Sequence, residues 1–473
     1  RERARERERE RERRRRMTKH QSHTILRNKR ILLVRRPNGL PQPEDFRLEE
    51  TSVVAKIHHR QHPEHQLQRL QQRPQPSGDD SDRDGTGTLI LETLYVSIDP
   101  AMRGWMSTAR SYLPPVRLGS VMRASTISRV LSVSSDSLRE VFPVGCAVRS
   151  EIVGVQSYFV MENCSQAKAL LHLTRLDATV PAAAAAAAAA AIPVPVPVPS
   201  IPPSIPTTTT ANPSFPPPGT HLSLASHLGV LGTTGLTAYF GLLRVGKPQP
   251  SDTVLVSGAA GATGSIVAQI AKHVVGCKKV IGTAGTDEKC AWLEANNIVD
   301  VAINYKTTAS LSKAVRDASS NDGGVDLVFD NVGAEFLEAA LGNLAARGGA
   351  RVVLCGAISQ YNRSSASAST ATGPRNYMNL LVKRASMSGF VVFDYRSEYP
   401  AAVSDLVRWI STGKIRFYKE DMRHVGIENF YPALLSLFTG ANTGKVVLKT
   451  NETRNRLPKT SIDSTPTTPN SRL

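Results

Sequence analysis

The second half of this sequence predicts an α/β fold, a doubly wound parallel sheet of the Rossmann kind, on three observations. From residue 251 onward, short runs of Val, Ile and Leu alternate with stretches of helical length. The runs are apolar throughout, without polar residues at every second position. The first run opens into a turn of small residues, Gly258-Ala259-Ala260-Gly261-Ala262-Thr263-Gly264. Strands covered by helices on both faces need that unbroken apolar character, and parallel neighbours need a crossover between them. Taken in order, residues 253–257 (TVLVS) form the first strand and 265–275 the helix after the turn. Residues 279–283 are the second strand, 288–297 a helix and 301–304 the third strand. Strands at 325–330 and 351–355 follow, separated by a helix over 335–346.

The first half is less regular. A β run at 30–35 ends at Pro37-Asn38-Gly39, and strand-like segments recur at 88–97 and 122–133. Residues 56–87 are polar and carry His58, His59, His62 and His65. Without helix-spaced acids or a second ligand cluster, they read as a disordered insertion and not a metal site. Residues 181–219 run from polyalanine into an Ile192-Pro193-Val194-Pro195 alternation. Proline at that density favours polyproline II, so this is a second, projecting insertion. Part of the formal net charge of +18 sits in the first sixteen residues, which hold ten Arg and five Glu. The interleaved acids weaken the field of such an arm, and no nucleic-acid partner is expected.

Five cysteines, Cys146, Cys164, Cys277, Cys290 and Cys355, fall at wide, irregular spacings, with no C-x-x-C pair and no H-E-x-x-H. That pattern argues against a disulfide framework and against a zinc site, and places the chain in a reducing, cytoplasmic compartment with no metal. No apolar run reaches the ~18 residues of a membrane helix, so no membrane association is expected.

A pyrophosphate can approach a helix N-terminus only where the backbone is unobstructed. Gly261 supplies the close approach, Gly264 lets the helix pack on the strand, and Ala259 stands where the dinucleotide fingerprint has its first glycine. An NAD site usually places an acid about 20 residues further on, for the ribose 2′-hydroxyl. Here Ile281-Gly282-Thr283-Ala284-Gly285-Thr286 offers none before Asp287, while Lys289 and Tyr305 suit a 2′-phosphate. NADPH is the expected cofactor.

With their neighbours, these residues resemble the zinc-independent branch of the medium-chain dehydrogenase/reductase superfamily. Within it, they are most similar to the prostaglandin reductase, leukotriene hydroxydehydrogenase and NADPH-dependent alkenal reductase family. The specific pieces are Leu94-Tyr95-Val96-Ser97-Ile98-Asp99-Pro100-Ala101-Met102-Arg103 and Gly232-Thr233-Thr234-Gly235-Leu236-Thr237-Ala238-Tyr239-Phe240-Gly241. To these add the 257–264 turn, Phe329-Asp330-Asn331-Val332-Gly333, and Cys355-Gly356-Ala357-Ile358-Ser359-Gln360-Tyr361-Asn362. The resemblance covers roughly residues 28–50, 89–177 and 222–449.

The resemblance implies a smaller, mostly antiparallel, GroES-like domain beside the Rossmann domain, with the active site in the cleft between them. The expected organisation is a low-complexity head (1–16), a GroES-like substrate domain (17–232) carrying both insertions, a dinucleotide domain (233–416), a return to the GroES-like domain (417–450) and a disordered tail (451–473). Carried over by motif, Gly261, Ala262, Thr263 and Gly264 hold the pyrophosphate, Lys289 and Tyr305 the 2′-phosphate, and Asn331 another part of the cofactor. Cys355, Gly356, Ala357, Ile358, Ser359, Gln360 and Tyr361 run along the nicotinamide half, Phe390, Val391 and Val392 flank the ring, and Asn442 closes over the cofactor from the other domain. Ala101 departs from the tyrosine often found at its place, which alters one wall of the substrate cleft.

The expected reaction is hydride transfer from NADPH to the double bond of an α,β-unsaturated ketone or aldehyde. Negative charge then moves to the carbonyl oxygen, which needs a donor. Tyr361 is the candidate catalytic residue, because a phenol with a reference pKa of about 10 stays protonated at neutral pH. Arg103 reads either as a steering group for a carboxylate-bearing substrate or as half of a structural ion pair, Tyr239 as core, and Cys355 as a packing residue. A homodimer is the expected assembly. Two alternatives use the same residues: an NADPH quinone oxidoreductase, and a non-catalytic NADPH-binding or RNA-binding protein.

Overall fold

The computed structural model of the chain describes residues 23–56, 86–109, 111–176, 222–363, 373–416 and 420–450. The Arg/Glu head, the tail, the four clustered histidines and nearly all of both expected insertions lie outside the described residues.

The chain enters through an antiparallel hairpin, β1 (His23–Leu33) with β2 (Phe46–Lys56), in register from His23 opposite Lys56 to Leu33 opposite Phe46. The sequence suggested 30–35, the last four residues of β1 and two beyond it. Its earlier residues alternate between the two faces, with Leu26 and Asn28 buried and Ile25 exposed, and form no apolar run. Next come β3 (Gly87–Ser97), β4 (Thr126–Val133), β5 (Ala147–Ser150), β6 (Tyr158–Cys164) and β7 (Leu173–Leu176). They form an antiparallel sheet, to which the end of the described chain returns β14 (Glu420–Asp421) and β15 (Lys445–Lys449). The order is β14-β15-β3-β4-β5-β7, with β6 on β3. β4 starts at Thr126 and not at 122, because Met122 is instead tied to Ile31 by a backbone bond of 2.8 Å.

The second sheet is parallel. It contains β8 (Thr253–Val256), β9 (Lys279–Ala284), β10 (Val301–Asn304), β11 (Leu327–Asp330), β12 (Arg351–Leu354) and β13 (Ser386–Gly389), ordered β10-β9-β8-β11-β12-β13. All four residues of β8 and all four of β11 are buried, as central strands covered on both faces must be. The five strands read from the sequence are present, with ends shifted by up to two residues. β13 was not foreseen: Ser-Met-Ser-Gly lies at the sheet edge and has no apolar signal.

The helix Thr233–Phe240 carries Tyr239 and Phe240 into the core beneath this sheet. Tyr239 stacks on Trp409 at 5.6 Å between centroids, and its hydroxyl donates to Asp405 at 2.8 Å, so its place is structural. The helix starts where a Cβ on Gly232 would lie 2.8 Å from the Leu228 carbonyl carbon, and one on Gly235 would overlap the Val230 backbone. Only glycine permits this approach.

Candidate cofactor and active site

The order of the parallel sheet reverses between β8 and β11, and ligands of such sheets bind at that crevice, beyond the strand ends. Both ends are tied together there. Asp330 accepts hydrogen bonds from the Ser257 hydroxyl (3.0 Å) and from the backbone N–H groups of Val332 (2.8 Å) and Gly333 (3.0 Å). Burial raises its pKa and these donors act against the rise. Asn331 donates its backbone N–H to Ser257 Oγ (2.7 Å) and its side-chain amide to the Ser257 carbonyl (2.8 Å), so its side chain is fixed at the mouth of the crevice.

The helix after the turn spans Ala262–Gln269 and continues as a wider turn through Val275, beginning three residues before the expected start. Its N-cap is Gly261, with no side chain capping it, whereas Thr286 and Ser310 supply hydroxyl caps to the helices Asp287–Ala295 and Leu311–Ser319. Gly258 sits at φ +58°. A Cβ on Gly264 would overlap the Gly258 carbonyl oxygen and lie 3.0 Å from Ala259 Cα. The backbone N–H groups around Ala262 and Thr263 therefore stand at an unobstructed positive helix end, the requirement of a pyrophosphate.

Lys289 is on the first turn of the Asp287–Ala295 helix. Its Nζ donates to the carbonyls of Gly440 and Asn442, each at 2.7 Å, and so reaches the loop before β15. Its pKa is lowered, first by burial and then by two cations the sequence did not bring together with it, Lys306 and Arg423. Tyr305 is 45 % exposed, and its hydroxyl would meet a Cβ on Gly285 at 2.9 Å. Lys289, Tyr305 and Lys306 thus surround the end of β9, with Arg423 nearby, and the Tyr305 and Lys306 side chains pack over Gly285, where a Cβ would crowd them. Lys289 and Lys306 at that corner fit a 2′-phosphate, whereas the Arg423 charge is matched by Asp421 at 2.8 and 2.6 Å. The Asn442 side chain bonds to the Gly444 carbonyl at 3.1 Å, and Gly444 donates its N–H to Ala260 at 2.9 Å, which sets this loop on the glycine turn.

Beyond β12, Cys355 and Gly356 donate their N–H groups to the Asp330 carbonyl (2.8 and 3.1 Å), and Ile358, Ser359 and Gln360 form one 3-10 turn. Ser359 Oγ donates to the Val332 carbonyl at 2.6 Å, and Gln360 to Ser359 Oγ at 3.0 Å. Tyr361 folds back over this turn. Its hydroxyl oxygen accepts the Ala357 N–H at 3.3 Å and lies 3.1 Å from where a Cβ on Gly356 would be. Burial raises its pKa, with smaller contributions from Cys355 and Asp330. The Cys355 thiol is pushed up to about 12, mostly by burial. Phe390 meets Phe329 edge-on at 6.5 Å and Val392 is part of the core, while the Val391 carbonyl accepts the Asp394 N–H at 3.1 Å.

Tyr112 is the residue that sequence reasoning missed. Its ring is 6.2 Å from Phe393, and its pKa is raised, first by burial of the hydroxyl, with Tyr361, Asp99 and Cys355 adding to the rise. Tyr112 is 54 % exposed overall and close enough to Tyr361 for the two phenols to act on each other's charge. Beside it Trp105 is 9 % exposed, and its indole N–H acts on the Tyr112 hydroxyl against the rise. Nothing local marks Tyr112, because its neighbours arrive from both sheets. Arg103 is not a steering group: 5 % exposed, it donates to the carbonyls of Pro37 (3.1 Å) and Gly39 (2.9 Å) and holds that loop.

Among the described residues, no three His, Cys, Asp or Glu side chains gather as a metal site, and no helix is long and apolar enough to cross a membrane. Residues 262–409 match the family model described as zinc-binding dehydrogenase, and residues 54–169 the one described as the N-terminal domain of oxidoreductase. The chain is 36 % identical to prostaglandin reductase 1 of Bos taurus, over 77 % of this chain and 89 % of that protein. It is 30 % identical to the NADPH-dependent curcumin reductase of Escherichia coli K12, over 89 % and 97 %. Its structure is similar to that of CurA from Vibrio vulnificus in complex with NADPH, with a TM-score of 0.64 and 31 % identity over 90 % of this chain and 99 % of that one. The chain belongs to the zinc-independent branch of the medium-chain dehydrogenase/reductase family and is an oxidoreductase.

Proposed function

We propose that this chain reduces the carbon–carbon double bond of an α,β-unsaturated ketone or aldehyde, with NADPH as its cofactor. The observation that carries this reading is Tyr361: its oxygen accepts a hydrogen bond from the Ala357 N–H, so its O–H is still a donor. The names of the reductases it resembles support the same reading. When bound, NADPH supplies the hydride. The chain's part is to orient the substrate and to meet the negative charge that develops on the carbonyl oxygen. A phenol with the ordinary pKa of about 10 is protonated at neutral pH, and burial of Tyr361 shifts it further in that direction. Gly261, Ala262, Thr263 and Gly264 serve the pyrophosphate, and Lys289, Tyr305 and Lys306 the 2′-phosphate.

The test is a panel of enals, enones and quinones, followed by loss of the reduced-nicotinamide absorbance. Enones and enals are turned over with NADPH; turnover of quinones alone replaces this reading. In Tyr361→Phe, kcat falls about tenfold to a hundredfold while NADPH binding stays within about threefold, as expected for an interaction made mainly in the transition state. An unchanged kcat removes Tyr361 from the chemistry.

A homodimer belongs to the same proposal. Edge strand β13 is largely exposed, and Tyr377, Met378, Leu381 and Val382 beside it are 50–71 % exposed, an apolar edge that a second copy would cover. Sedimentation of Leu381→Asp against the unaltered chain checks it.

A further inference from the structure

Lys445 is a buried ammonium with no share in the roles assigned above. It is 4 % exposed, and its Nζ donates to the Ile98 carbonyl at 2.8 Å and to Asp99 Oδ1 at 2.7 Å. Asp99 also accepts a hydrogen bond from the Ser97 hydroxyl. One residue earlier, Gly444 lies in a parallel bridge with Gly261 and donates to Ala260. Two consecutive residues thus touch both halves of the site. Gly444 rests on the pyrophosphate turn, and Lys445 grips the start of the segment that leads into the helix Met102–Trp105 and on to Tyr112.

The charges around this pair are matched. Glu420 lines the small cavity beside Lys445 together with Ala262 and Ser265, but Glu420 is engaged by the Ser226 hydroxyl at 2.8 Å. The carboxylate bonded to Lys445 is that of Asp99, whose charge is felt at Tyr112. A buried ion pair is a poor source of net stability, because desolvation offsets the attraction, but it is demanding in geometry. Hydride transfer is equally demanding: reacting atoms must lie about 3–3.5 Å apart, and a displacement of about 1 Å costs on the order of a hundredfold in rate. The surfaces that set this spacing belong to different sheets, and the 444–445 step joins them directly.

We propose that Lys445 is a positioning residue which, through Asp99, fixes the register of the substrate-side segment 99–105 against the pyrophosphate turn. The proposal rests on the enone-reductase reading only for its kinetic arm. The decisive variant is the pair Asp99→Asn with Lys445→Met, which removes both charges of the pair together, with Glu420 still held by the Ser226 hydroxyl, even where Lys445→Met alone fails to fold. The double variant is expected to unfold within about 3 °C of the unaltered protein and to bind NADPH within about threefold by calorimetry. Its kcat is expected to fall about thirtyfold, with a larger deuterium isotope effect from NADPH labelled at the transferred hydrogen. Independently of any substrate, NADPH should slow amide hydrogen exchange across 99–105 in the unaltered protein and leave it unchanged in the double variant. A kcat within threefold of the original, or equal protection of 99–105 in both proteins, overturns the proposal. A parallel collapse of unfolding temperature and NADPH affinity also overturns it, by making the pair part of the fold alone. If no enone is reduced, the functional reading fails, and the exchange measurement still decides the role of Lys445.

Discussion

Gly264→Ala is expected to weaken NADPH binding at least about a hundredfold, the loss that follows when a helix start can no longer present its N–H groups to a pyrophosphate. The added methyl group would occupy the place of the Gly258 carbonyl oxygen, with the Gly258 carbon at 2.9 Å and Ala259 Cα at 3.0 Å. These are backbone atoms that no rotamer change can move aside. Either the turn opens or the helix tilts away from β8, and both displace Ala262 and Thr263. Because Gly264 is buried, some stability is lost as well. The check is therefore calorimetry on a variant shown by circular dichroism to be folded at the measuring temperature. NADPH affinity within threefold of the original would show that the pyrophosphate lies elsewhere.

The second large effect is a change of preference between cofactors. Lys289→Ala should raise the Kd for NADPH about fiftyfold and that for NADH about threefold or less, since a charge-assisted bond to phosphate is worth about 1.5–3 kcal/mol. The small common loss comes from the bonds of Lys289 to Gly440 and Asn442, which it makes with no phosphate present. Lys306 stays in place and limits the damage. Equal losses for both cofactors would move the 2′-phosphate away from Lys289. The same lysine sets a pH dependence. Its pKa is lowered by burial and by its cationic neighbours, so on the alkaline side it loses its proton earlier than an ordinary lysine. The preference for NADPH over NADH should accordingly narrow as pH rises in that direction, and the narrowing should be absent from Lys289→Ala.

The parallel sheet was legible because its strands advertise themselves: β8 and β11 are buried on both faces, and an unbroken apolar run is the only solution to that environment. The start of the helix at Ala262 was hidden for a related reason, since residues small enough to admit a phosphate look like a turn. β13 was illegible because an edge strand takes its order from β12 and needs no apolar residues of its own. Within the site, Gly264 could be named from the small-residue turn after a strand, whereas Asn331 and Tyr361 come from motifs that resemble those of the family. Lys306, Arg423 and Tyr112 could not, because what makes them interesting is the company of Lys289 or Tyr361, which only the fold assembles. Arg103 illustrates the converse. A conspicuous cation in a cleft motif is used to clamp the carbonyls of Pro37 and Gly39.

The electron-poor alkene proposed as substrate would also be a hazard, because such alkenes add readily to sulfur anions. Cys355 stands beside Tyr361, where such a molecule would dwell. Burial pushes its thiol up to about 12, which disfavours the reactive anion at neutral pH. Burial thus acts on the Tyr361 phenol and the Cys355 thiol in the same direction, favouring the protonated form of both, which under the proposed reaction would spare the thiol from alkylation.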